Sequence, residues 1–174
     1  MHPFDLLLNI AQRSKHNAAQ LPQQIKSITY WRGVGFFLAG QRLVVDMNDV
    51  REILQPPKMT KVPGVRNWVL GVANVRGRLV PILDLAGLVG MPTRANWRSR
   101  RVLIVEQGNY FCGLLVDAVL GMQQFAIDSH SLESDLAPEL SKFSSHSYEK
   151  DNQCWSVFEI DKLIEAPEFL QVAV

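Results

Sequence analysis

The spacing of its turns constrains this chain's fold more than any other feature. From Trp31 onward, short apolar runs alternate with glycine-bearing breaks. Val34 to Ala39 is apolar, Gly40-Gln41-Arg42 turns, and Leu43-Val44-Val45 returns. The pattern recurs as Trp68 to Val75, Arg76-Gly77-Arg78 and Leu79 to Leu85, and again as Val102 to Val105, Glu106 to Asn109 and Tyr110 to Val116. Runs this short, closed by turn residues, are hairpin strands. Each apolar return closes on an aspartate: Asp46, Asp84 and Asp117. Val157 to Leu163 echoes Pro81 to Leu88, so each half reads as one copy of a small β-subdomain. The spacing favours small barrels over a parallel sheet. Asp46 to Leu54 fits one or two helical turns or a bent strand, and Pro56-Pro57 forbids a helix beyond it. Thr93 to Arg101 reads as a loop. Residues 128–153, rich in Ser, Asp and Glu, read as a long, partly helical connection.

The first 21 residues follow a different period. Phe4, Leu7, Leu8 and Ala11 lie at i, i+3, i+4 and i+7, one face of an amphipathic helix. Pro3 suits its first turn, where a missing N–H loses nothing, and Pro22 stops it. Residues 1–30 are therefore expected to be a helical extension with a polar connector, and residues 31–174 the β domain.

Charge is unevenly distributed. Residues 1–127 carry 15 basic and 7 acidic residues, and residues 128–174 carry 3 and 10, for a net charge of +1. A nucleic-acid binder usually keeps its basic excess uncancelled. Here the two ends are expected to form a dipolar, solvated surface, with pairing between the acidic end and the basic body as the alternative. The acid-free cluster Arg94, Arg98, Arg100 and Arg101 reads as a solvated loop or as pairing with that end, ahead of a phosphate or nucleic-acid contact. No apolar run approaches the roughly 20 residues of a membrane helix. No secretory leader is visible, and two cysteines, Cys112 and Cys154, suit a reducing compartment. A cytoplasmic protein is expected.

Several chemistries lack their residues. There is no phosphate-binding loop, dinucleotide fingerprint or nucleophile elbow. The four histidines and two cysteines show no zinc spacing, so no metal and no cofactor is expected. Cys112 and His146 form a nucleophile–base pair only if the fold unites them; mid-strand, Cys112 reads as a small core residue. Asp46, Asp49 and Glu52 share a face if helical, a spacing more often solvated than metal-bound. The four tryptophans read mainly as core anchors.

The informative segment is Gly71 to Leu85. Asn74 and Gly77 suit turn positions, and Gly77 tolerates positive φ. Arg76 then stands exposed at a hairpin tip, where a planar guanidinium suits a partner's carboxylate or carbonyl. Pro81 marks an edge strand or a bulge. Asp84 is expected to tie down nearby backbone N–H groups.

This segment resembles the hallmark of the CheW-like family, the chemotaxis coupling proteins. That pattern, Gly-x-x-Asn-x-Arg-Gly, three residues, then Pro-x-x-Asp-Leu, matches at Gly71, Asn74, Arg76, Gly77, Pro81, Asp84 and Leu85. Val50-Arg51-Glu52-Ile53, Gly113 to Val119 and Trp155 to Leu163 are similar to further family segments, the last to its closing strand. The entry Trp31 to Phe36, the N-terminal helix and Leu115 to Met122 resemble the branch that serves type IV pilus (twitching motility) systems. The resemblance implies a mainly β fold of two SH3-like five-stranded barrels with short helices, packed around a shared core. It implies no catalysis, and a scaffold linking a methyl-accepting chemoreceptor's cytoplasmic tip to a CheA-type histidine kinase regulatory domain. No nucleic-acid partner and no direct membrane insertion is implied. The family's interaction positions carry onto Val50, Glu52, Ile53, Gly71 and Arg76, with Asn74 and Gly77 shaping the turn between them. The competing readings are an SH3- or OB-like nucleic-acid binder using the arginine loop, another solitary β-barrel adaptor, and an enzyme built on Cys112.

Overall fold

The structure, a computed structural model, describes residues 2–16 and 26–173. Helix α1 spans Pro3–His16 and begins at Pro3, as expected. Its expected continuation to Leu21 and the stop at Pro22 lie outside the described residues. Phe4, Leu6, Leu7, Leu8 and Ile10 are all exposed, so this stretch of α1 does not bury its apolar side chains against the barrels.

The β domain holds eleven strands in two sheets. They are β1 (Tyr30–Leu38), β2 (Gln41–Asp46), β3 (Val50–Leu54), β4 (Val69–Val75), β5 (Arg78–Asp84), β6 (Arg101–Gln107), β7 (Tyr110–Val116), β8 (Ala118–Ala126), β9 (His130–Ser131), β10 (Ser147–Lys150) and β11 (Gln153–Val157). One sheet runs β8-β1-β2-β11-β10-β9 and the other β3-β6-β7-β5-β4. Short helices α2 (Leu85–Val89), α3 (Pro138–Ser141), α4 (Ile160–Glu165) and α5 (Pro167–Leu170) fill the joints. No described helix is long and apolar enough to cross a membrane.

Successive residues on these strands feed different cores. On β6, Val102 and Ile104 enter a small core inside the five-stranded sheet, while Leu103 and Val105 enter a larger core between the sheets. On β2, Val44 joins Phe125, Tyr148 and Trp155 in the other sheet's own core, while Leu43 and Val45 face the shared one. Phe36, Leu38, Leu114, Phe143 and Phe158 complete the shared core. Both faces of these strands are dry, which is why they read as continuous apolar runs instead of alternating ones.

Several expectations need correction. The subdomains are not consecutive halves: β1 and β2 leave the chain's first third to join β8 through β11 from its last. That union rests on long-range pairings, antiparallel between β1 and β8 and parallel between β2 and β11, which no local signal encodes. The sheets have six and five strands, the extra one being the two-residue β9. The 128–153 connection is mainly irregular loop and β structure, with the end of a 3-10 turn (Ile127–Ser129) and a four-residue helix. The closing strand ends at Val157, and Ile160 begins α4. Asp46 to Leu54 resolves as a turn leading into β3. Pro81 lies on an inner strand without a bulge of its own. Strand β7 pairs with β5 only at Ile82, Leu83 and Asp84, so the missing N–H of Pro81 falls before that ladder starts.

Of the loop arginines, Arg94 and Arg98 are exposed, as a solvated loop would have them, and Arg100 departs from expectation. Arg100 is buried and does not pair with the acidic end. Its Nη2 donates to Asp84 Oδ1 at 2.9 Å and lies 3.8 Å from Asp117 Oδ1. Asp117 Oδ2 accepts the Ala39 N–H at 2.7 Å, and the Asp117 N–H donates to the Phe37 carbonyl at 3.0 Å. This joint ties the end of β5, in one sheet, to the β1–β2 turn, in the other. Asp84 makes no capping bond to the backbone of α2.

Candidate protein-binding site

The β4–β5 hairpin closes in two residues, Arg76 and Gly77, with Val75 opposite Arg78. Both have positive φ, 52° and 81°, as a type I′ turn requires. Asn74 Oδ1 accepts the Gly77 N–H at 2.8 Å and locks the tip. Arg76 is thereby exposed and aimed. Its Nε and Nη2 each donate to Glu52 at 2.9 Å, a bidentate pair between the hairpin tip and β3. The hydrogen bonds and charge of the Glu52 carboxylate raise the Arg76 pKa above its ordinary value. The ladder between β3 and β6 slips between Val50 and Glu52, a bulge that re-aims the strand at this point.

A groove of about 500 Å³ opens here, lined by Arg51, Glu52, Val75, Arg76, Arg78 and Phe111. Arg78 lies over the Phe111 ring at 3.7 Å, and Arg51 pairs with Glu106 at 2.9 Å. Three guanidinium groups meet two carboxylates on an aromatic floor. The expected site residues divide by position. Glu52 and Arg76 line the groove, Ile53 is exposed on β3, and Val50 packs against the shared core. Asn74 and Gly77 build the turn. Gly71 is buried beneath Thr60, which pairs with Val72 through two 2.9 Å hydrogen bonds. It acts on the site through the path of β4. Arg51, Arg78 and Phe111 also line the groove, and nothing local in the sequence marks them: Arg78 reads only as part of a turn.

The catalytic alternative finds the opposite of an activated thiol. Cys112 lies in the shared core, and burial pushes its pKa up to about 12. His146 belongs to the other sheet's surroundings. It packs against His130 and Tyr148, and burial and His130 lower its pKa. With native protein, a thiol reagent is expected to titrate one cysteine, exposed Cys154, and to reach Cys112 only after unfolding. Rapid labelling of Cys112 in the native state would reopen the thiol chemistry. Asp46, Asp49 and Glu52 do not converge either: Asp46 accepts the Trp31 indole N–H at 3.1 Å, and Glu52 is held by Arg76. Among the described residues no cluster of three metal-ligating side chains occurs.

An open groove of prepaired charges, carried on two β-barrels around a common core, is the make-up of a protein-binding scaffold. The chain belongs to the CheW-like domain family, whose pattern matches residues 32–168. Proteins of this family are non-catalytic scaffolds of chemosensory systems. The chain is 44% identical over 177 residues to Protein PilI of Pseudomonas aeruginosa, covering 99% of this chain and 97% of that one. It is 26% identical to the chemotaxis protein CheW of Thermotoga maritima, covering 76% and 86%. The crystal structure of the scaffolding protein TtCheW from Thermoanaerobacter tengcongensis superposes with a TM-score of 0.71 at 25% identity, over 80% of this chain and 96% of that one.

Proposed function

We propose that this chain is a non-catalytic cytoplasmic adaptor that couples a pilus-associated chemoreceptor to a CheA-type histidine kinase. The Glu52–Arg76 pair on an open groove carries the reading. It presents fixed, complementary charge beside apolar surface, the composition of a specific but reversible interface. The near full-length likeness to PilI supports the pilus assignment. In this reading residues 31–174 are the coupling domain, residues 1–30 an extension, and recruitment to the membrane runs through the receptor. Val50, Glu52, Ile53, Gly71, Asn74, Arg76 and Gly77 build the contact surface, directly or by shaping it.

Coupling requires contacts that differ between kinase states, since a scaffold binding both states equally shifts neither. Arg76→Ala is expected to weaken binding to a receptor tip or a kinase regulatory domain by at least about tenfold. Its melting temperature should stay near that of the wild type, because an exposed ion pair contributes little to stability. Titration calorimetry with each purified partner reads the first effect and thermal denaturation the second. Unchanged affinity for both partners would remove Arg76 from the interface.

A further inference from the structure

We propose that a second docking surface, built on the loop that leads into β6, takes an acidic peptide segment of a protein partner. Its centre is Trp97. The indole is 52% exposed, yet the loop that carries it is built tightly. Ala95 N–H donates to Thr93 Oγ1 and Arg98 N–H to Asn96 Oδ1, while Ser99 N–H and Oγ both reach the Asn96 carbonyl. Arg100 N–H closes the turn onto the Trp97 carbonyl, and the buried Arg100 guanidinium lies 5.9 Å from the indole ring. An exposed tryptophan in a fixed loop has already met much of the ordering cost of binding.

Beside it lies a groove of about 360 Å³ lined by Gln55, Pro56, Trp97, Arg98 and Arg101. Arg101 is fixed through bonds from its Nη1 to the carbonyls of Arg98 and Arg100, at 2.8 and 2.7 Å. Among the described residues Arg94, Arg98 and Arg101 form no ion pair, and residues 92–101 contain no acid. Two acids of the C-terminal part pair elsewhere, Glu159 with Lys162 and Glu168 with Lys142. The groove thus offers the Trp97 and Pro56 surfaces beside two guanidinium groups, Arg98 and Arg101, that form no ion pair among the described residues.

This surface is separate from the first. The two grooves share no lining residue; Arg101 opens β6, and Glu52 stands opposite Ile104 on that strand. Three residues of strand, about 10 Å, separate Arg101 from the position that faces Glu52. The observations favour a peptide over nucleic acid. A polyanion needs many phosphates neutralised at once. This groove offers few cations, on a chain of net charge +1 whose last 47 residues carry ten acids.

The test pans a random dodecapeptide phage library, and in parallel a random single-stranded DNA pool of matching length, on the full chain at physiological salt. Enriched peptides are expected to carry Asp or Glu around an aromatic or aliphatic residue. Their affinity should fall at least about tenfold on Trp97→Ala and on Arg98→Glu, hold on Arg98→Lys, and be indifferent to Arg76→Ala. Trp97 and Arg98 are exposed, so the variants should keep the wild-type melting temperature; Arg98→Gln repeats the reading if charge reversal disturbs the loop. Three results would overturn the proposal: no peptide dependent on Trp97 and Arg98, enrichment of neutral or basic peptides, or Arg98-dependent retention of DNA in preference to peptide. Because Arg76→Ala leaves this surface intact, its failure and the failure of the coupling role are separately visible.

Discussion

Arg100→Ala is expected to lower stability by about 3–5 kcal/mol, the cost of stripping one partner from a buried ion cluster. The loss follows from what remains. Asp84 would keep a carboxylate with its 2.9 Å donor gone, and Asp117, 11% exposed at its side chain, would keep an uncompensated charge while still holding the Ala39 N–H. Asp84 closes one sheet and Asp117 anchors the turn of the other, so the damage falls on the joint between them. For a chain of this length the melting temperature should drop by roughly 6–20 °C. Arg100→Lys should fall between, since an ammonium keeps the charge but not the reach of a guanidinium fork. A drop below about 2 °C for Arg100→Ala would mean that water replaces the guanidinium freely and the joint is not a dry one.

Gly71→Asp is the second large effect. A Cβ at this position would stand 2.5 Å from the Thr60 carbonyl oxygen and 2.9 Å from its carbon. Both are backbone atoms, held by the Thr60–Val72 bridge, so nothing flexible can move aside. The φ of 149° is also strained for any side chain. Overpacking and strain each cost about 1–3 kcal/mol, and a carboxylate facing a carbonyl adds to them. A loss of about 4 kcal/mol or more is expected from urea denaturation. Partner affinity should fall with it, because β4 leads directly into the Arg76 turn. Wild-type stability would show that the segment around Thr60 lifts away freely and that Gly71 does not shape β4.

Much of the fold was legible because hairpin chemistry is local. The β4–β5 turn could be read from Asn74 and Gly77, and the structure adds only that Arg76 shares the positive φ. The other turns were read a residue or two off. The β1–β2 turn is centred on Ala39 and Gly40, while the turn of β10 and β11 at Asp151 and Asn152, a pair without glycine, falls where the sequence reads only as a connection. Strand β8 escaped notice because its edge position leaves it mostly half-exposed, and Gln123 and Gln124 blur its alternation.

Half of the candidate site was legible and half was not. Arg76 announced itself through its turn, and Glu52 through a family motif. Their pairing could not be read, since it joins residues 24 apart through a bulge in β3. The roles of Arg100 and Asp84 were misread for the same reason. A buried arginine looks in sequence like exposed Arg94 and Arg98 and half-buried Arg101, and its acids lie at separate strand ends. Burial, not residue type, separates the arginine that joins two sheets from those that face solvent.

The central claim is that one chain holds receptor and kinase at once. It is tested most directly by capturing a chemoreceptor cytoplasmic tip on beads and adding a CheA-type kinase regulatory domain, with and without this protein. The account predicts kinase domain on the beads only when the protein is present, and much less of it with Arg76→Ala. Equal kinase retention without the protein, or none with folded wild-type protein present, would contradict the coupling role.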